Sequence, residues 1–397
     1  MSELLTFLNS ARADFLADLA ALVNVDCGTH NKTGVDAAGW WVGARCAAWG
    51  WMVEQHRLDR YGDCWSARWR GTGAGRVMLM GHLDTVYPDG TADARPMRWD
   101  GGRILGPGVN DMKSGLLAGL YALRALQMGG FMDFEELVFF FNSDEEVGSP
   151  ASRALSGPLA QTMDAVLVLE SAREDGALVN ARKGCAEYTL TVTGQAAHAG
   201  VEPEKGVNAI LELAYQIAAL HQLNGSAPGV TVNAGVVSGG TATNVVPAEA
   251  RVEFDVRAVD AAGAARIQRA LADLPARVTV PGARVTISGQ FSYPPMAQTP
   301  AAAYLTELAQ AGARTLGFDV HAVATGGASD ANLIAGLGVP VLDGLGPVGG
   351  RDHSPDEYVL AASLQPRTAL VAELVRQILQ PDHLRRLRAL RGSPPTR

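Results

Sequence analysis

The sequence predicts an α/β chain: a central mixed sheet flanked by helices, interrupted by a smaller α+β unit of the ferredoxin-like kind. Three observations predict it. In the first part of the chain, short apolar runs alternate with segments of helical period. Each of those runs stops at a polar cluster. Past Arg182 the pattern changes to alternating apolar and polar residues, as in antiparallel strands with one solvated face.

Taken in order, Leu4, Leu5, Leu8, Phe15, Leu19, Leu22 and Val23 recur at helical spacing and predict an opening helix. Residues 40–49 predict a second. Residues 77–80 form an apolar run of strand length that ends at Gly81-His82-Leu83-Asp84. Residues 111–129, rich in small side chains, predict a helix. Residues 137–141 predict a buried strand leading into Asn142-Ser143-Asp144-Glu145-Glu146, and residues 165–169 predict another, ending at Glu170. In mostly parallel sheets functional side chains sit just beyond the strand ends, where all three polar clusters fall. Strands are then expected over 187–193, 231–237, 250–256 and 284–288, with helices over 206–221 and 261–271. That order, strand-helix-strand-strand-helix-strand, defines the inserted unit. After Pro294-Pro295 helical spacing resumes over 301–316, and strand-loop elements follow around Ala322 and over 339–343. The expected organisation is therefore a first domain built from residues 1–181 and 293–397, with residues 182–292 inserted. There is no internal repeat and no low-complexity linker.

Composition bounds the function. The chain has 397 residues, 47% of them hydrophobic and 19% charged, enough for two cores and too apolar for a disordered chain. A net charge of −8 gives a nucleic-acid partner no electrostatic support. The basic cluster Arg385, Arg386, Arg388 and Arg391 is expected to close a surface helix. Cys27, Cys46, Cys64 and Cys185 form no metal-type pair and no disulfide framework, and fit free thiols in a reducing compartment. Glu3, Arg12 and Asp14 interrupt the N-terminal segment, which is no apolar signal core, and no uncharged run is long enough for a bilayer. A soluble cytoplasmic protein with no membrane partner is the expectation.

Singly, the polar residues have bland readings. A His after a strand is more often structural than a ligand, Glu145-Glu146 could be a solvated turn, and Asp111 could cap the helix after it. Together, His82, Asp111, Glu146, Glu170 and His353 are a nitrogen and carboxylate set of the sort that holds Zn2+. A carboxylate has two oxygens, so one Asp can serve two metals about 3.5–4 Å apart. Asp84, two residues after His82, is placed to orient that imidazole. Glu145, beside a ligand but pointing elsewhere, is the natural general base for the attacking water.

Several blocks carry a family resemblance: Gly81-His82-Leu83-Asp84-Thr85-Val86, Gly106-Pro107-Gly108 with Asn110-Asp111-Met112-Lys113-Ser114-Gly115, Asp144-Glu145-Glu146-Val147-Gly148-Ser149, and Leu169-Glu170. They resemble the signature blocks of the co-catalytic dinuclear zinc exopeptidases, the group of aminoacylase, succinyl-diaminopimelate desuccinylase and bacterial glutamate carboxypeptidase. Ala197-His198-Ala199-Gly200, Asn244-Val245-Val246-Pro247 and Asp255-Val256-Arg257 resemble blocks of that family's smaller lid domain, through which its members dimerise. Gly326-Gly327-Ala328-Ser329-Asp330 and Asp352-His353-Ser354 with Glu357-Tyr358 resemble its last blocks.

The resemblance implies two zinc ions per subunit and a homodimer. It makes Asp111 the bridging ligand, with Glu146 and His353 completing one site and His82 and Glu170 the other. It implies a cis peptide after Asp111. Glu145 becomes the base that passes its proton to the leaving nitrogen. His198 becomes the donor to the tetrahedral oxyanion, often in the partner subunit's site. Arg257, with Asn244 beside it, receives the substrate's free carboxylate, and Gly326 and Gly327 let backbone N–H groups approach the substrate. Glu170, where aminopeptidase-type relatives carry Asp, resembles the carboxypeptidase and desuccinylase branch, and the lid is most similar to glutamate carboxypeptidases acting on N-acylated or folate-like compounds. One departure stands out: glutamate-releasing members can carry Arg where this chain has Tyr293, which leaves neutral or aromatic residues open. The resemblance thus implies a small N-acyl amino acid or peptide as substrate.

Overall fold

The computed structural model describes residues 3–392, which form two compact units. The first runs through to Ala181, resumes over Gln298–Ala324 and again from Ser329. The second is Arg182–Ala297 with Thr325–Ala328.

The first unit is built on a six-stranded sheet in the order Met52–His56, Cys64–Arg70, Glu136–Asn142, Arg76–His82, Ala165–Val168, Val341–Leu342. The pairings of Met52–His56 with Cys64–Arg70, and of Cys64–Arg70 with Glu136–Asn142, are antiparallel; the rest are parallel. Every residue of Glu136–Asn142 is buried, as a strand covered on both faces requires. Ser114–Met128 packs on the sheet at Arg76–His82, and Leu364–Leu379 packs on Ser114–Met128. Trp51, Trp65 and Trp69 belong to the same core, and Trp65 lies so close to Gly39 that a Cβ there would meet its Nε1 at 2.3 Å. In the parallel strands His82 pairs with Asn142, and Met80 with Val168. The segments after His82, Asn142 and Val168 therefore emerge side by side at one sheet edge.

Differences from the sequence expectations are local and have causes. The opening helix is two, Glu3–Ser10 and Arg12–Val23. The next begins at Lys32, eight residues before residue 40, because the Asn31 side chain accepts from Gly34 N at 2.9 Å and caps it. The helix expected from 111 starts at Ser114. Its cap position is Lys113, so Asp111 is not a cap; Asp111 and Met112 have non-helical dihedrals and are joined by a cis peptide. The strands Met52–His56 and Cys64–Arg70 carry no readable apolar run, since Glu and Gln interrupt the first and Ser and Arg the second. A small four-stranded sheet, Gly349–Gly350, Tyr358–Leu360, Arg103–Leu105 and Arg98–Asp100, also carries no clear period; its first two strands form a hairpin whose loop holds His353. The arginine-rich segment is indeed the helix Pro381–Leu390, with Leu384 and Leu387 buried. Arg388 pairs with Asp164 at 2.7 Å, Arg386 lies over the Tyr304 ring, and Arg391 donates to Met163 and Gln161 carbonyls.

The second unit is a four-stranded antiparallel sheet in the order Thr231–Gly239, Glu249–Ala258, Gly184–Thr193, Arg284–Tyr293. Helices Ala209–His221 and Ala261–Ala272 pack on it around Leu190, Val192, Leu213, Val252, Val256 and Ile267. The strict burial alternation along Glu249–Ala258 explains why this half was readable from period alone.

Candidate active site

The site lies at the sheet edge of the first unit. His82 is the last residue of its strand and is only 1% exposed. Its Nδ1 donates to the Asp84 carbonyl oxygen at 2.9 Å, which turns Nε2 toward the acids of the site. That Nε2 faces Asp111 Oδ1 at 3.0 Å and Glu170 Oε1 at 3.6 Å. His353, held in its hairpin loop at φ 60°, brings its Nε2 to Asp111 Oδ2 at 3.1 Å and Glu146 Oε2 at 3.3 Å. The two oxygens of Asp111 are thus divided between two histidines, each with a second carboxylate beside it. Glu145 offers a carboxylate oxygen within 4.8 Å of His82 and Glu170 ligand atoms.

So many acids in one place perturb each other. Loss of solvation pushes Glu145 well above its ordinary value against the pull of His82, and Glu170, Asp330 and Glu146 push the same way. Burial raises Asp111, but hydrogen bonds from His353 and His82 outweigh it and hold the carboxyl below the usual range. Asp111 and Glu146 raise His353 to about 11. Burial lowers His82, yet Asp111, Asp84 and Glu170 carry it well above normal. The residues fit divalent cations on a separate count: the buried Glu146 Oε1 has no hydrogen-bond partner, an acceptor aimed into a cluster of acceptors.

A supporting layer fixes the candidate ligands. Asp84 orients His82 chiefly through its carbonyl; its carboxylate stands 3.5 Å from Nδ1 and instead accepts from Thr29 Oγ1 at 2.7 Å and the backbone N–H groups of Glu145 and Glu146 at 3.2 and 3.3 Å. Asp330 accepts from Asn142 and Ser149, bracing the same turn. Glu357 is 1% exposed and accepts from Tyr87 Oη at 2.6 Å and from the N–H groups of Gly108, Asn110 and Asp111 at 2.9, 2.8 and 3.0 Å. It anchors the loop that carries Asp111. Sequence reasoning assigned no role to Thr29, Tyr87, Asp330 or Glu357. The signal for Tyr87, Asp330 and Glu357 was their place in resembling blocks, His82 to Tyr87 among them.

The other candidate residues belong to the second unit. His198 bridges Val245, and Ala199 N donates to Asn244 O, so His198 and Asn244 share one corner. Arg257 Nε lies 2.9 Å from both Asp255 oxygens, and its Nη1 donates to Gly326 O at 3.4 Å. Gly327 O accepts from Arg182 at 3.2 Å. A Cβ at Gly326 would meet nothing within 4 Å, so that glycine leaves open space.

Fold and site together define a metal-dependent hydrolase. The profile of Peptidase family M20/M25/M40 matches residues 78–377, and the chain belongs to this family. It is 30% identical over 368 residues to carboxypeptidase G2 of Pseudomonas sp. (strain RS-16), spanning 91% of this chain and 88% of that one. It is 29% identical over 384 residues to succinyl-diaminopimelate desuccinylase of Xanthomonas oryzae pv. oryzae (strain PXO99A), spanning 92% and 98%. The structure of aminopeptidase PepT from Bacillus cereus ATCC 10987 superimposes with a TM-score of 0.77 at 24% identity, covering 93% of this chain and 99% of that one. No helix among the described residues is long and apolar enough to cross a membrane.

Proposed function

We propose that this hydrolase cleaves the amide bond next to a free α-carboxylate, releasing a C-terminal amino acid, glutamate above all, from N-acylated or folate-like compounds. The observation that carries the reading is the division of Asp111's two oxygens between His82 and His353. Asp111, Glu146 and His353 would hold one zinc ion and Asp111, His82 and Glu170 the other; imidazole and carboxylate donors suit zinc. When bound, the ions supply Lewis acidity to the scissile carbonyl and to the attacking water.

The chain's own groups do the rest. Glu145 takes a proton at its carboxylate and hands it to the leaving nitrogen, from a place within reach of the His82 and Glu170 ligand atoms. Asp84 keeps the His82 tautomer. His198 donates to the tetrahedral oxyanion, and Arg257 and Asn244 receive the substrate carboxylate, a planar fork suiting that anion. Gly326 and Gly327 offer backbone to the substrate. The inserted unit, residues 182–292 by sequence, serves as a lid that pairs two copies. Ile210, Leu211 and Tyr215 on its first helix and Val236 and Val237 on its edge strand are exposed, which supports that reading. Free Cys27, Cys46, Cys64 and Cys185 support a cytoplasmic setting.

Tyr293 favours a second reading, an N-acyl-amino-acid amidohydrolase or dipeptidase for neutral or aromatic residues: it ends the strand Arg284–Tyr293 where glutamate-releasing relatives can carry Arg. Zinc-loaded protein offered N-acyl-glutamate and N-acyl-phenylalanine separates the two. Faster release of glutamate is expected; release of phenylalanine alone replaces the first reading with the second. Glu145→Gln should cut turnover by about 10²–10⁴-fold while metal content is unchanged.

A further inference from the structure

The helix Leu364–Leu379 buries an arginine to which the two-metal reading gives no task. Arg367 is only 3% exposed, and among the described residues no carboxylate pairs with it. Each of its nitrogens takes one backbone carbonyl instead. Nε donates to Gly346 O at 2.9 Å, Nη1 to Gly176 O at 3.2 Å, and Nη2 to Gly344 O. We infer that Arg367 is a positioning residue for the cation held by His82 and Glu170: its guanidinium clamps the two chain segments that fix the Glu170 backbone. The inference rests on the two-metal reading above and adds to it the group that shapes one of the two sites.

Three observations carry it. First, the clamp reaches Glu170 in one step. Gly346, whose carbonyl Arg367 holds, donates its own N–H to Glu170 O at 2.8 Å. Ala172 N donates to Pro347 O at 3.1 Å, and Val348 bridges Ala172 in parallel, so residues 346–348 run beside 170–172 like an added strand. Gly176 lies in the turn that follows, closed by Gly176 N to Arg173 O at 2.7 Å and Arg173 N to Ala177 O at 3.1 Å. The guanidinium thus ties both partners of that pairing. Second, the contact is tight. A Cβ on Gly346 would meet Leu169 O at 2.6 Å and Glu170 O at 2.9 Å, so the place of this segment dictates the place of the Glu170 backbone. Glu170 Oε1 stands 3.6 Å from His82 Nε2, and a shift of its backbone opens that pair directly. His353 has separate support, in a hairpin paired through Tyr358–Leu360. Third, a cation is a costly way to fill space. Arg367 gives up its hydration with no anion in return, whereas an apolar side chain would pack there without that loss. Burial lowers it only to about 10, so it stays charged at neutral pH. What arginine alone supplies is a planar fork of donors at fixed angles, able to hold three carbonyls at once.

The test is a Co2+ titration read by visible absorption and by metal content. Wild type should take up two ions. Arg367→Met, of similar length but without donors, should keep one ion at wild-type affinity and bind the other about 10–100-fold more weakly. Glu170→Ala should lose that same ion, and the double variant should lose no more than Glu170→Ala alone, because both changes act on one site. Arg367→Lys keeps the charge without the fork and should resemble Arg367→Met. Gly346→Ala leaves the buried charge in place and crowds Glu170 O, and should weaken the same ion; if Arg367→Met does not fold, unchanged affinity in Gly346→Ala overturns the assignment. A lowered urea midpoint with both affinities at wild-type values makes Arg367 a purely structural residue and also overturns it. So does equal weakening of both ions, additive loss in the double variant, or full recovery by lysine. Wild type that takes up no Co2+ would sink the two-metal reading and this inference with it, whereas two ions bound alike by wild type and Arg367→Met would sink this inference alone.

Discussion

Replacing Glu357 by Gln should loosen the whole candidate site without touching a ligand. In the native carboxylate, Oε1 accepts from Asn110 N and Asp111 N, and Oε2 from Gly108 N and Tyr87 Oη. An amide keeps one acceptor oxygen, and its NH2 points at donors. Two of the four donors are stranded, at about 1–3 kcal/mol each for a buried group. Tyr87 Oη still reaches Ser354 O at 2.9 Å, which offsets part of its loss. A net cost of about 2–4 kcal/mol follows, a large share of the roughly 5–15 kcal/mol that holds a domain together. Burial raises Glu357 to about 7, so the comparison is made at a pH near 8 where the carboxylate is ionised. All seven tryptophans lie in the first unit, so urea unfolding followed by tryptophan fluorescence reports that unit selectively. Metal titration of the same variant should show weaker binding, because Asp111 loses its backbone anchor. A midpoint within error of wild type, with metal affinity unchanged, would refute the claim that Glu357 sets the position of Asp111.

Three further outcomes follow from the same geometry. Asp84→Asn leaves one acceptor oxygen for Thr29, Glu145 N and Glu146 N, and should lower metal affinity or kcat/KM by about 10–100-fold, read by metal titration and steady-state kinetics. Removing metal with a chelator should lower the melting temperature, since a cation present at 1,000 times its Kd adds about 4 kcal/mol; an unchanged melt would argue against metal in this cluster. Burial raises Asp63, but Lys32, Leu58 N and Gln55 outweigh it and hold the carboxyl below its ordinary 3.8. A carboxyl depressed on folding stabilises fully above its unfolded value and loses that contribution as pH falls through the folded one. The stability gap between wild type and Asp63→Asn should therefore be widest above pH ~4 and shrink below it, as denaturant midpoints across that window would show.

The sequence by itself determined the α/β class, the order of the elements with a clear period, and the side chains that are candidate ligands. Period was readable wherever burial is one-sided or complete: in Glu249–Ala258, where faces alternate, and in Glu136–Asn142, where nothing is exposed. It was unreadable at Cys64–Arg70, whose Trp and Arg side chains find their cover in distant segments: Trp65 at Gly39, Gly43 and Trp40, Trp69 at Trp51 and Phe134, Arg68 at Glu136. The matched blocks singled out His82, Asp111, Glu146, Glu170 and His353 as candidates, but no local pattern states that His353 meets Asp111 across 242 residues. The same holds for Glu357, which receives Tyr87 from 270 residues away. Such contacts form only after the parallel strands align their ends and the Gly349–Leu360 hairpin closes over them. Local propensity records what a residue does to its chain neighbours. The charges and hydrogen bonds that make a site are settled between segments that only the finished tertiary packing brings within 3 Å of each other.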